Sequence, residues 1–491
     1  MILLVGVAVI VAWYGVLLMS YALAPAWRTT VRNRAVEALQ AEFASEVRFQ
    51  SFEVSLWPRV HIIARGVIIG SGAQPLVQAT TADAQCHIIP WHIQTLRLEG
   101  LSVNIPTTPI APFSSSPPVR AVSVDEVLAD RAQVDIFPSI GPPTPLHFDF
   151  TQLRVNNFSP GHSADFSARV SGLEAHADVQ ANGSFGPWNP QNPSLTPLRG
   201  TYTLQPSNLA AVPGLKGMLS AQGRFEGTLQ QIQIAGNADV PQFGLSSSGH
   251  LTPLHVSFQA ALDASDGTGA IRNLNGTLGS SAFTGSGLAL KVQDNSTRDV
   301  AVDLTVSKGR LEDLLPLGVK STTSPVSGVL RAQANLEIQP GKQDILDRLS
   351  LNDDFSATNA RFSSLDLRER LRDVSRKAQG HPDDKASGSS ISSMQGHLRL
   401  NHGIAEFSDL TFDVEGASAH LNGSYQLASQ QLDLHGQMWM EATLSQTATG
   451  IKAFFLKAAQ PFFRGKQGGS VVPIKISGTR ADPQFGLDLA K

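Results

Sequence analysis

The sequence predicts a mainly β protein: a single N-terminal transmembrane helix followed by a long antiparallel, groove-like curled sheet with a few short helices. Three observations carry this reading. Residues 2–24 contain no charged side chain, and the first in the chain is Arg28. From Val47 onward apolar residues recur with a period of two, the spacing of a strand with one apolar face. Gly, Ser, Thr, Asn and Gln are plentiful while charged residues make up only 16% of the chain, the composition of an uncharged β protein with many turns.

At about 1.5 Å per residue, the run 2–24 makes a helix of about 35 Å, enough for a hydrocarbon core of about 30 Å. Tyr21 and Trp27 fall near its far end, where aromatic rings favour the membrane interface. Everything after Trp27 is too polar for a bilayer, so residues 1–26 read as an anchor for a large body. A cleaved signal peptide competes with this, because Ala22-Leu23-Ala24 fits a small-x-small cleavage site. Against cleavage stand the length of the run, the lack of a basic segment before it and Pro25 directly after the cut. Arg28, Arg32 and Arg34 follow the run, which by the positive-inside rule would hold the body in the cytoplasm. Large domains translocate largely regardless of that bias. Basic residues are expected upstream of Met1, so the expectation is an inner-membrane, single-pass protein with most of its chain in the periplasm.

Residues 27–46 read as an amphipathic helix. Trp27, Val31, Ala35, Ala38, Leu39 and Phe43 recur at helical spacing, with Arg28, Arg32, Arg34, Glu37 and Glu42 mostly elsewhere. Two placements fit it: on the membrane surface, or packed on the first strands.

Residues 47–350 read as a repetitive β body. Val47 and Phe49 alternate, then Phe52, Val54 and Leu56, then Val60, Ile62 and Ala64. The figure returns at Leu96 and Leu98, then at Leu101, Val103 and Ile105 after Gly100, and it reads as strand, short turn, strand. The clusters 106–118 and 139–145 are loops. From Gly183 the strands become glycine-punctuated, as at Gly217, Gly223 and Gly227 and again at Gly276 and Gly279. Their quasi-repetition favours a progressive meander, each strand beside the one before it.

Residues 351–491 form a C-terminal domain in which helices interrupt the strands. Leu367, Leu371, Val374 and Ala378 align on one face of a helix at 364–379, closed by Gly380. A second helical segment, 447–463, carries Ile451, Phe454, Phe455, Phe462 and Phe463. These five are the candidate lipid or membrane contacts, although a helix covering a core accounts for them as well.

Charge and motifs narrow the function classes. A net charge of −3 argues against a nucleic-acid partner, which needs a concentrated basic surface. The single cysteine, Cys86, excludes an intramolecular disulfide, and with His87 and His92 it makes too loose a set for a metal. No G-x-S-x-G elbow, phosphate loop or H-E-x-x-H is present. The nearest figure, Gly285-Ser286-Gly287, is a glycine-serine turn lacking the elbow's context. No catalytic residue, cofactor or metal is therefore expected.

One resemblance enters through the C-terminal region. Phe355-Ser356-Ala357-Thr358-Asn359-Ala360-Arg361-Phe362 precedes the helix; Phe412-Asp413-Val414-Glu415-Gly416 and Leu421-Asn422-Gly423-Ser424-Tyr425-Gln426-Leu427 follow it. Val472-Pro473-Ile474-Lys475-Ile476-Ser477-Gly478-Thr479 and Asp482-Pro483 close the set. This order resembles the C-terminal domain of the AsmA family of bacterial envelope proteins. The N-terminal order of anchor, amphipathic helix and a strand with Ser55-Leu56-Trp57-Pro58 is similar to that family too. The resemblance implies the AsmA-like superfamily, with its TamB and YhdP relatives: repeating β-grooves thought to carry phospholipid acyl chains between membranes. It also implies membrane, phospholipid and other envelope proteins as partners, and it supplies no catalytic residue. The alternative function is an assembly factor for outer-membrane proteins, acting by protein–protein contacts at an open strand edge.

Overall fold

The computed structural model describes residues 29–55, 60–72, 74–87, 92–110, 123–139, 145–159, 161–173, 177–291, 298–321, 324–363, 391–441 and 470–488. The expected transmembrane run at 2–24 and the expected helices at 364–379 and 447–463 lie outside these residues. Among the described residues no helix is long and apolar enough to cross a membrane. The described chain is mainly β, with twenty-six strands and few helices. It divides into two compact units: Met1–Leu204 with Gly223–Ile234 and Leu262–Gly267, and Gln205–Gln222 with Ala235–Ala261 and Thr268–Lys491.

The first unit opens on helix α1 (29–43). Strands β1 (Val47–Arg48), β2 (Ser51–Ser55), β3 (Val60–Ile69) and β4 (Val77–His87) follow it. Val31 of α1 is 2% exposed, and Val36, Leu39 and Phe43 pack against Val47, Ala64, Val67, Ile69 and Ala79. Of the two placements open to the amphipathic helix, it takes the one on the first strands. The 3.6-residue spacing of its apolar side meets the two-residue spacing of β1, β3 and β4.

Next come β5 (His92–Glu99), β6 (Ser102–Pro106), β7 (Ser123–Phe137), β8 (Leu146–Phe158), β9 (Ala164–Leu173) and β10 (Ala177–Phe185). Here the expected all-antiparallel order fails. Strand β7 runs parallel to both β5 and β6, with Leu96 opposite Val127 and Val103 opposite Val134. The reason lies in Gly100 and the loop after Pro106. Gly100, at φ +62, does not turn the chain back. β5 and β6 continue in one direction along β4, which pairs antiparallel with both. The Pro- and Ser-rich stretch 107–122 separates β6 from β7 in sequence, and parallel neighbours need a crossover of about that length. From β7 to β10 and on to β11 (Pro197–Asn208) each strand pairs antiparallel with the next.

Strands β12 (Leu215–Lys216), β13 (Met218–Thr228), β14 (Gln231–Leu245) and β15 (Thr252–Asp263) lead into the long meander of the second unit. That meander comprises β16 (Thr268–Leu278), β17 (Ser281–Lys291), β18 (Arg298–Arg310), β19 (Val326–Ile338), β20 (Leu349–Phe362), β21 (Ile391–Asn401), β22 (Ile404–Val414), β23 (Ala417–Gln426), β24 (Gln431–Met440), β25 (Ser470–Thr479) and β26 (Asp482–Leu487). Each pairs antiparallel with its successor. Two-residue turns join several of them. His402 and Gly403, both at positive φ (47 and 72), link β21 to β22, the backbone that a tight hairpin of matching twist requires.

Two short helices, absent from the sequence expectation, interrupt the meander. Helix α2 (Leu311–Gly318) places Leu311, Leu314 and Leu315 against Val306, Leu330 and Ala332, and its Asp313 accepts from Ser280 N and Ser281 Oγ. Helix α3 (Ile345–Arg348) is capped by Asp344, which accepts from Leu346 N. The pattern of α2, Leu-Glu-Asp-Leu-Leu-Pro, is too short to show helical periodicity beside the strand on either side.

Candidate functional site

Strict alternation gives the meander of the second unit one apolar face. Register places Ala334 of β19, Leu398 of β21, Phe407 of β22 and Leu434 of β24 in one row across the sheet. The row beside it holds Leu336, Leu351, Leu400, Ala405, Tyr425 and Leu432. Leu421, at 0% exposed, anchors the middle of this face with Leu410 and Leu434. Leu336, Leu351, Leu398, Phe407 and Leu432 are only partly buried. Glycines sit in the same face where backbones approach closely. A Cβ on Gly436 would lie 1.9 Å from the carbonyl oxygen of His420.

One residue breaks the pattern. In β20 the apolar positions run Leu349, Leu351, Asp353, Phe355, Ala357. Asp353 stands between Ala334 on β19 and Leu398 on β21. It is the sole charged residue among the described apolar-face positions of β19 to β25. Its Oδ1 is buried with no hydrogen-bond partner. Burial, and secondarily the charge of Asp354, pushes the carboxyl up to about 6, with the Gln333 backbone and His397 opposing. A second orphaned polar atom on this face is Tyr425 Oη, and burial raises the phenol's pKa.

The opposite face is polar. Behind Asp353, the strands β18 to β22 form an open concavity of about 680 Å³, lined by Arg331, Gln333, Asp354, Ser356, Gln395 and His397 among others. It lies where the register slips between Gln395 and His397, beside Asp409 at φ +53. Asp354 and His397 Nδ1 are paired at 2.9 Å. Such His–Asp pairs recur on polar faces. His255 meets Asp239 at 2.5 Å. In the first unit His147 lies between Asp135 (2.5 Å) and Asp149 (3.0 Å). In the second, His435 lies between Asp488 (2.8 Å) and Asp433 (3.0 Å). Hydrogen bonds to Asp135 and to Asp488 raise the pKa of His147 and His435 respectively.

The residues singled out from sequence fare differently. Ile451, Phe454, Phe455, Phe462 and Phe463 lie outside the described residues. Cys86 is buried on β4, and burial pushes its thiol up to about 11, far from the reactive thiolate. His92 is engaged by Ser123 and Asp125, both at 2.6 Å. Among the described residues no three His, Cys, Asp or Glu side chains gather to hold a metal. Gly285-Ser286-Gly287 is not a turn but the middle of β17. Its glycines admit the carbonyls of Asp303 and Ala301, which a Cβ would meet at 2.4 and 2.7 Å. Asp353 escaped the sequence reading, although its signal was present as a carboxylate at an apolar position of an alternating strand.

Compared with protein-family models, with curated proteins and with solved structures, the chain gives no match in any of the three.

Proposed function

We propose that this chain is an envelope-biogenesis protein anchored in the inner membrane by residues 1–26. Its periplasmic body binds or conducts phospholipid along an apolar β-groove between membranes. The observation that carries the reading is the partly buried apolar face of the meander from β16 to β26, with Leu336, Leu351, Leu398, Phe407 and Leu432 in contact with one another's clusters. A face of that kind gains about 0.8 kcal/mol for each lipid CH₂ it takes from water, so ten methylenes contribute about 8 kcal/mol. The uncharged run at 2–24 and the resemblance of the C-terminal region to the AsmA family support the membrane context. The test is native mass spectrometry of the detergent-purified full chain. Co-purifying phospholipid of one or more discrete stoichiometries is expected, and a lipid-free body would count heavily against the proposal.

A second reading, an assembly factor for outer-membrane proteins, draws on β26. This last strand pairs with β25, and its other edge is where a client strand would add. Pro483 within β26 is a residue that open edges commonly carry. Deleting the gene and scoring porin folding separately from lipid distribution distinguishes the two readings.

A further inference from the structure

The apolar face of β18 to β25 holds one carboxyl; the Gln333 backbone hydrogen-bonds the group, but its Oδ1 has no partner. Ala334, directly across on β19, offers only a methyl, and Leu398, across on β21, offers only hydrocarbon. Oδ1 is buried and unpartnered. No Lys, Arg or His occupies any described position of the same face on β19 to β25. A carboxylate with one oxygen buried and unpartnered is costly in an empty protein. The cost disappears when a cationic hydrogen-bond donor arrives together with hydrocarbon that covers the neighbouring side chains. Both requirements belong to one kind of molecule, an amphiphile whose head is positively charged and whose tail is apolar.

We propose that Asp353 is the head-group anchor of the apolar face, and that it accepts the primary ammonium of an aminophospholipid whose acyl chain lies along the partly buried Leu351, Leu398 and Phe407. The inference rests on the phospholipid reading above and narrows it to a head-group class. Charge complementarity gives it direction: an ammonium removes the penalty on the carboxylate, whereas a head group with net negative charge meets a like charge. The carboxyl's raised pKa agrees with a group that lacks its counter-ion in the empty protein. Its binding of an ammonium would accordingly strengthen as the pH rises past about 6 and the carboxyl ionises. The groups facing Asp353 electrostatically are Asp354 from its own strand and His397 from β21, and the Gln333 backbone on β19 is the hydrogen-bonding neighbour.

The test is calorimetric titration of the full chain in a non-ionic detergent at pH 7.5, using lysophosphatidylethanolamine and lysophosphatidylglycerol of equal chain length. Wild type should bind the ethanolamine lipid about ten-fold more tightly. Asp353→Asn should bring that ratio to about two or less while leaving lysophosphatidylglycerol binding equal or tighter, and Asp353→Glu should restore part of the preference. Free ethanolamine without a chain should not compete, which separates an aminolipid site from a simple amine site. An unchanged ratio in Asp353→Asn would overturn the head-group assignment and leave the phospholipid reading standing. Failure of wild type to bind either lysolipid would overturn both.

Discussion

Asp353 and Asp354 are adjacent in one strand, yet they belong to different environments. Asp354 points to the polar face, is paired with His397 at 2.9 Å, and has 81% of its side chain exposed. Asp353 points to the apolar face, and its Oδ1 is buried and alone. The difference between them is parity, not residue type: successive strand residues face opposite sides, so one step along β20 exchanges water and a histidine for hydrocarbon. The same contrast extends over the whole meander of the second unit. One face is held by buried leucines, the other by His–Asp pairs and solvent.

The largest effect should come from the apolar side. Leu421 is 0% exposed at the centre of the Leu410–Leu421–Leu434 cluster. Leu421→Ala should cost about 3 kcal/mol in denaturant unfolding, whereas His397→Ala on the polar face should cost less than about 0.5 kcal/mol. Equal costs would break the two-face description.

Next comes Asp353→Asn. The carboxyl is raised from 3.8 to about 6 in the folded protein, so the native state holds a proton that the unfolded chain has released between those values. Stability is therefore highest below about pH 4 as far as this group is concerned, and falls as pH rises toward 6. The Asn variant lacks that penalty. It should be more stable than wild type by about 1 kcal/mol at pH 8, a figure reduced for partial solvent screening. The advantage should shrink as the pH is lowered from 6 toward 4. Urea midpoints at the two ends of that range measure it, and a destabilised Asn variant at pH 8 would contradict the burial of Asp353.

The polar face should titrate in a higher window and more weakly. His435 has its pKa raised by hydrogen bonds to Asp488 and Asp433. Its contribution is present in full below the unfolded value near 6.5 and is lost as the pH rises through the raised folded value. His435→Gln should remove that pH dependence while changing stability by less than about 1 kcal/mol. An imidazole titration followed by NMR should show a midpoint above the ordinary histidine value; a midpoint at or below it would refute the pairing.

Much of the fold was legible in the sequence, and the failures have physical causes. Alternation such as Leu349, Leu351, Phe355 and Ala357 fixed which residues share a face, and the positive-φ turn at His402-Gly403 follows from a glycine between two alternating runs. The meander from β16 to β26 matches the expected progressive order, and short turns account for it where they join neighbours, as between β21, β22, β23 and β24. The parallel pairing of β7 was hidden because Gly100 looks like a turn in sequence while acting as a kink between collinear segments. Helix α2 was hidden because eight residues cannot establish a 3.6-residue period. At the candidate site, Asp353 was visible only as an exception to alternation. Its meaning needed the register, which puts Ala334 and Leu398 on either side and leaves no counter-ion. The five residues from Ile451 to Phe463 looked most lipid-like by type alone, which says nothing about the face they occupy.

The central claim is that the apolar face of the second unit, and not its polar face, carries lipid tails. Photocrosslinking in native membranes tests it at neighbouring positions of β21: a benzophenone side chain replacing Leu398 on the apolar face, and one replacing Arg399 on the polar face. Phospholipid adducts at position 398 that exceed those at 399 by about ten-fold are the predicted result. Equal labelling at both positions, or labelling at 399 alone, would contradict it.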